Sequence, residues 1–116
     1  MAIQRIETGP RMSQVVVHDN RVYLAGIVAN KTAGESVTKQ TQDILATIDG
    51  HLKKAGTDKS KLLSATIYIT DMRTFAEMNA VWDAWVSPGN TPARATVEAR
   101  LANTQYTVEI MVTAAK

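Results

Sequence analysis

The sequence of 116 residues contains no cysteine. This absence excludes disulfide bonds, thiolate zinc sites and cysteine nucleophiles, and it fits a reducing compartment. No apolar run approaches the roughly 20 residues that a membrane helix needs. The first ten residues, MAIQRIETGP, lack the apolar core of a signal peptide. We therefore expect a single cytoplasmic domain over residues 1–116 that does not enter a membrane.

The sequence also lacks a large excess of positive or negative charge. Its 13 basic residues nearly balance its 11 acidic residues, and the formal net charge is +2. The basic residues are scattered along the chain, so nucleic acid is not the expected partner. The only histidines are His18 and His51. They lack metal-ligand spacing, and we interpret both as ordinary surface residues. No nucleotide-binding or serine-hydrolase motif occurs, and we expect neither a metal nor a cofactor.

Hydrophobic periodicity predicts about six strands and two helices in the order β-β-β-α-β-α-β-β. The predicted strands span residues 3–6, 15–18, 21–26, 62–70, 93–101 and 106–114. The first helix begins near Ser36, and the second begins at Asp71 or Thr74. Its expected buried stripe is Phe75, Met78, Val81, Trp82 and Trp85. Two amphipathic helices can cover only one face of such a sheet, which predicts a two-layer α+β fold.

The segment PARATVEARL, residues 92–101, alternates strictly between apolar and polar side chains. We expect its apolar residues to face the helices and its polar residues to lie on the opposite face. The apolar set is Ala93, Ala95, Val97, Ala99 and Leu101, and the polar set is Arg94, Thr96, Glu98 and Arg100. Tyr23, Tyr68, Glu109 and Met111 are expected on the same face as the polar set. That face is too apolar to be fully solvated, so we expect another subunit to cover it.

Arg94 and Glu109 are the charged pair of greatest interest on this face. If strands 93–101 and 106–114 form a hairpin, both side chains share one surface. The register is open, because Thr96, Glu98 or Arg100 could each lie opposite Glu109. The pattern permits a binding site, and it equally permits a cross-strand ion pair worth under about 1 kcal/mol.

Four segments carry a resemblance to a known family. The stretch TPARATVEARLA followed by YTVEI resembles the C-terminal signature of the RidA-type (YjgF) reactive-intermediate deaminases. VYLAG at 22–26, FAEMN at 75–79 and Gly9-Pro10 resemble further family segments, in the same order along the chain. The resemblance covers essentially the whole sequence and is nearest to a divergent, YoaB-like subgroup.

The resemblance implies a chorismate-mutase-like fold and a homotrimer with clefts between subunits. It implies hydrolysis of enamines and imines, such as 2-aminoacrylate and other 2-imino acids, to the 2-keto acid and ammonia. Arg94 matches the arginine that binds the substrate carboxylate, and Glu109 matches the glutamate near the catalytic water. Asn79, Thr96, Ala25 and Gly26 match residues that line the cleft. The family chemistry needs no cofactor.

Three positions depart from the family pattern. Thr96 replaces a cysteine, Ala25 replaces a serine, and Arg11 or Met12 replaces a tyrosine. These changes remove two hydroxyl groups, so a trimer that binds a 2-keto or amino acid without turnover is the main alternative. An endoribonuclease or translation inhibitor, and a holdase-like chaperone, are further alternatives. The roles of Glu98 and Arg100, in the site or in a structural pair, are open.

Overall fold

Seven strands and two α-helices make up the computed structural model, which describes residues 2–116. The strands are β1 (Ile3–Thr8), β2 (Ser13–His18), β3 (Arg21–Leu24), β4 (Ile27–Val28), β5 (Leu62–Ile69), β6 (Ala93–Glu98) and β7 (Val108–Ala115). The helices are α1 (Val37–Lys54) and α2 (Phe75–Trp85). Short 3₁₀ turns at Lys59–Lys61 and Met72–Thr74 precede β5 and α2.

All seven strands form one mixed sheet in the order β1-β2-β3-β7-β5-β6, with β4 also paired to β7. Only the β5–β6 pair is parallel among these strands. The predicted strand over residues 21–26 is divided into β3 and β4. Residues 24–26 lie opposite only residues 111–112 of β7, which is a one-residue bulge that places Gly26 at the break.

Local capping fixes where each helix begins and ends. The Ser36 hydroxyl accepts a hydrogen bond from the Lys39 amide at 3.2 Å, which satisfies one free N–H of the first turn of α1. Gly56 follows the last turn with a φ of 82°, a conformation that glycine adopts without strain. The Asp71 carboxylate accepts from the Arg73 amide and so begins the turn that leads into α2.

Both helices pack on one face of the sheet, which confirms the predicted two-layer α+β fold. Alternate residues of β7 are buried in this core, as the sequence pattern predicts. In β5 a bulge between Leu62 and Ser64 leaves Leu63 exposed. The largest fully buried side chains are Ile44, Leu45, Ile48, Leu52, Ile67, Ile69, Met78 and Ile110.

The hairpin of residues 93–101 and 106–114 that was considered as a possibility does not form. Strand β6 pairs with β5 in parallel at the sheet edge, and β7 pairs with β5 on its other side. Helix α2 provides the crossover that a parallel pair needs, and loop 99–107 carries the chain back across β5.

The predicted faces of β6 are also reversed. Arg94 is paired with Ala65 and Thr96 with Ile67, so the polar side chains lie on the helix side of the sheet. Ala95 and Val97 lie on the open face. An edge strand extends beside the helices rather than beneath them, and its helix-side residues therefore need not be apolar.

Candidate functional site

The Arg94 guanidinium lies against the side of α2. Its Cζ atom is 5.9 Å from the centre of the Phe75 ring and 5.4 Å from a ring of Trp82. Both distances are within the range of a cation–π interaction, which orients the guanidinium while its charge stays available. Within residues 2–116 Arg94 forms no ion pair. It is an exposed cation held in place without a counter-ion.

Asn79 and Thr96 lie beside this arginine. Phe75, Asn79 and Trp82 follow one another at helical spacings of four and three residues, so they share the side of α2 that Arg94 contacts. Thr96 follows Arg94 by two residues and therefore lies on the same face of β6. The Asn79 Oδ1 and Thr96 Oγ1 atoms are buried and have no hydrogen-bond partner in the described chain. We call Asn79, Arg94 and Thr96 the arginine half-site.

Glu98 has a structural role in this region. Its Oε1 atom accepts a hydrogen bond from the Met72 amide at 2.8 Å, in the turn that begins α2. Arg100 is outside β6, which ends at Glu98, and it lies exposed in loop 99–107. Neither residue belongs to the arginine half-site.

Glu109 lies on the open face of the sheet, where it is paired with Val28 of β4, close to the bulge between β3 and β4. A Cβ atom built onto Gly26 would collide with the Glu109 carboxylate, so only glycine leaves room for this side chain. Burial raises the pKa of the Glu109 carboxyl above its ordinary value. A carboxyl group with a raised pKa is suited to giving and accepting a proton near neutral pH. Ala25, Gly26 and Glu109 form what we call the glutamate half-site.

The two half-sites do not meet within one chain. Glu109 is paired with Tyr68, whereas Arg94 is paired with Ala65, and these two β5 residues point to opposite faces. The expectation that Arg94 and Glu109 share one surface of the same sheet is therefore wrong. The alternative of a cross-strand ion pair between them is excluded as well, because the two strands are not neighbours.

The open face is partly apolar. Tyr23, Val97 and Met111 are each 41–42% exposed there, and Tyr68 is half-buried. This observation agrees with the predicted apolar character of the face, although Val97 replaces the β6 polar residues that were expected on it.

Sequence patterns misjudged two residues near these sites. Phe75 was assigned to the core but is 38% exposed, and together with Trp82 it contacts Arg94. His51 was interpreted as a surface residue, but it is only 8% exposed. The signal for His51 was available, because it follows Ile44 and Ile48 at the spacing of the buried stripe of α1.

A groove of about 510 Å³ lies between α1 and α2. Its walls include Leu45, Ala80 and Trp85, and none of the half-site residues lines it.

No helix in the described part of the chain is long and apolar enough to cross a membrane.

Comparison with known proteins identifies the family. Residues 2–116 match the family model described as Endoribonuclease L-PSP. The RutC family protein YoaB of Escherichia coli is 46% identical over 115 residues, which is 99% of each chain. The crystal structure of a YjgF family member from Neisseria meningitidis superposes with a TM-score of 0.97 at 49% identity, covering 100% of this chain and 96% of that one.

The chain therefore belongs to the family described as Endoribonuclease L-PSP, in which its relatives carry the names RutC, YjgF and Rid. The predicted resemblance and the two-layer fold are confirmed. A more distant relative, the chloroplastic Reactive Intermediate Deaminase A of Arabidopsis thaliana, is 31% identical over 108 residues. The match covers 87% of this chain and 57% of that protein.

Proposed function

We propose that this protein hydrolyses 2-imino acids and their enamine tautomers to 2-keto acids and ammonia. The observation that carries the proposal is the free Arg94 guanidinium, which is fixed by Phe75 and Trp82 and flanked by two unpaired buried oxygens. A planar guanidinium binds a carboxylate through two charge-assisted hydrogen bonds. A buried polar atom without a partner calls for an explanation, and a bound substrate or water would supply the missing hydrogen bond.

We propose further that the protein is a homotrimer in which each cleft joins the arginine half-site of one subunit to the glutamate half-site of the next. Such an arrangement would bring together the groups that a single chain keeps on opposite faces. The partly apolar open face, with Tyr23, Val97 and Met111, would be covered by the same contact. Homo-oligomers commonly form closed rings of identical interfaces, and such a ring would cover this face in every subunit.

In this reaction Arg94 would hold the carboxylate and so orient the C=N bond. Glu109, with its raised pKa, would accept a proton from the attacking water and return it to the departing nitrogen. Imines hydrolyse in water without a strong nucleophile, so positioning and proton transfer suffice. Asn79 and Thr96 would contact substrate or water through their unpaired oxygens.

The test is an assay in which an amino-acid oxidase generates 2-imino acids in situ while loss of the imine is followed. The wild-type protein should accelerate that loss, and Arg94→Ala should abolish the acceleration. Arg73→Ala is the matched control, because Arg73 is an exposed guanidinium already paired with Asp71 at 2.8 Å. Acceleration that survives in Arg94→Ala would contradict the role of Arg94.

The second candidate is a trimer that binds a 2-keto or amino acid without turnover. It is favoured by Ala25, which replaces a serine of the family pattern, and by Arg11 or Met12, which replaces a tyrosine, because these changes remove two hydroxyl groups. Binding of pyruvate without any acceleration of imine loss would support this function over hydrolysis. RNA cleavage that falls steeply with salt concentration would instead support the activity in the family model's description.

A further inference from the structure

Strand β4 has one unpaired edge, and a cavity extends along that edge. Among the described strands β4 pairs with β7 alone, so its other edge is hydrogen-bonded to neither β2 nor β3. A cavity of about 460 Å³ lies along this edge between the sheet and α1. We call it the β4-edge cavity.

The β4-edge cavity reaches both faces of the sheet. Val28 is paired with Glu109, and Gln14 alternates with the buried Val15, so both lining residues belong to the open face. Thr47 and His51 line the cavity from α1, on the helix side. Gly26, which contacts the Glu109 carboxylate, is part of the same wall. Glu109 itself does not line the cavity, which passes around the edge of β4 from Gly26, beside the Glu109 carboxylate, to the space beneath α1.

The helix-side end of the cavity is polar and opens to solvent. His51 Nδ1 is 3.4 Å from Glu7 Oε2, and Lys54 Nζ is 2.7 Å from the same oxygen. Burial lowers the pKa of His51, which keeps the imidazole neutral near neutral pH. The side chain of Glu7 is 43% exposed. The mouth of the cavity is thus lined by groups that water can hydrate.

The proposed hydrolysis requires water to enter the cleft and ammonia to leave it in each turnover. The oxygen of one water forms a bond to the imine carbon, and Glu109 carries a proton from that water to the nitrogen. The remaining hydroxyl proton then passes through Glu109 to the nitrogen, and the C–N bond breaks as the oxygen forms the C=O bond of the 2-keto acid. The nitrogen leaves as ammonia, so each turnover takes in one water and releases one ammonia. A substrate bound between two subunits would block the front of the cleft during these steps.

We propose that the β4-edge cavity is the passage through which water reaches Glu109 and ammonia leaves it. The inference rests on the proposed function. The volume suffices for roughly 15 water molecules, at about 30 Å³ each. Gln14, Thr47 and His51 offer hydrogen-bonding groups along the way, and ammonia can use the same groups because it is similar to water in size and polarity.

The experiment fills the passage without altering either half-site. Thr47→Phe adds bulk to the cavity wall, whereas Ala46→Phe adds the same ring on the neighbouring residue, which lines the groove between the helices. We expect Thr47→Phe to lower kcat roughly tenfold, or about 1.4 kcal/mol in activation free energy. The dissociation constant for pyruvate should be unchanged, and Ala46→Phe should match the wild type in both quantities. If Thr47→Phe fails to fold, Thr47→Leu and His51→Leu test the same wall with smaller changes.

The outcomes separate the passage from the proposed function. Wild-type hydrolysis that is unaffected by filling the cavity would overturn the passage and leave the deaminase proposal standing. Weaker pyruvate binding with an unchanged kcat would also overturn it, because the cavity would then serve substrate binding. Absence of hydrolysis by the wild type would remove both proposals.

Discussion

Arg94 and Glu109 lie on opposite faces of the same sheet, on strands that β5 separates. One chain therefore presents two incomplete sets of polar groups. The first has a fixed cation and unpaired buried oxygens, and the second has a carboxyl group with a raised pKa. In the proposed cleft each set supplies what the other lacks.

Arg94→Lys should weaken the binding of pyruvate even though the charge is kept. Lysine cannot form two parallel hydrogen bonds to a carboxylate, and charge-assisted bonds contribute about 1.5–3 kcal/mol. The dissociation constant should rise by about tenfold or more. Trp82, whose ring is 5.4 Å from the guanidinium, provides a fluorescence signal for the titration. Arg73→Lys should bind like the wild type, and an equal loss in both variants would contradict a specific role for Arg94.

Gly26→Ala should displace the Glu109 carboxylate and reduce imine hydrolysis while the chain still folds. The added methyl group would occupy the space that the carboxylate now fills. Gly50→Ala is the control, because a Cβ atom at this position in α1 meets nothing within 4 Å. It should stabilise the helix by about 0.5–1 kcal/mol and leave the rate unchanged. Full activity of Gly26→Ala would show that the position of Glu109 does not matter.

Thr96→Val should stabilise the protein without ligand and weaken its binding of pyruvate. The Thr96 hydroxyl is buried without a partner, which costs about 1–3 kcal/mol, and valine has nearly the same shape. Thr41→Val is the matched control, because the buried Thr41 hydroxyl donates to the Val37 carbonyl at 2.7 Å. Chemical denaturation should show a gain for Thr96→Val and a loss for Thr41→Val. Losses in both would indicate that Thr96 is already satisfied in the unliganded protein.

Glu109→Gln should raise the melting temperature at neutral pH by a few degrees at most. Folding raises the pKa of Glu109, so the folded state favours the protonated carboxyl. Stability from this group is fully present below the ordinary glutamate pKa of about 4.3, and it is lost as pH rises through the higher folded value. Glutamine cannot ionise, so the difference between variant and wild type should disappear at low pH. A variant that is less stable than the wild type at pH 7 would contradict burial as the cause.

The fold was largely predictable from the sequence because its helices and central strands have strong periodicity. The stripe of α1, with Ile44 and Ile48, and the alternation in β7 each identify a buried face without knowledge of the partner element. Position in the sheet was not predictable in the same way. The sequence pattern of residues 93–101 defines two faces of a strand, but it does not determine which strand is the pairing partner.

The residues of the candidate site could be predicted from the sequence, but their positions relative to one another could not. Arg94 and Glu109 came from the family signature, and the pairing that was expected to join them does not occur. Their placement depends on the parallel pairing of β6 with β5 and on loop 99–107, which the local sequence does not encode. The cation–π contacts of Phe75 and Trp82 followed from the same tertiary arrangement, so core periodicity alone could not reveal them.

The most direct test of the split site combines two inactive variants. Arg94→Ala and Glu109→Gln chains with different affinity tags are co-expressed, and oligomers carrying both tags are isolated and assayed for imine hydrolysis. If each cleft takes its arginine from one subunit and its glutamate from the next, every trimer that carries both tags has one intact cleft, which restores about one third of the clefts. Activity near that level, with none in either variant alone, is the predicted result. Mixed oligomers without activity, beside an active wild type, would contradict a site shared between subunits.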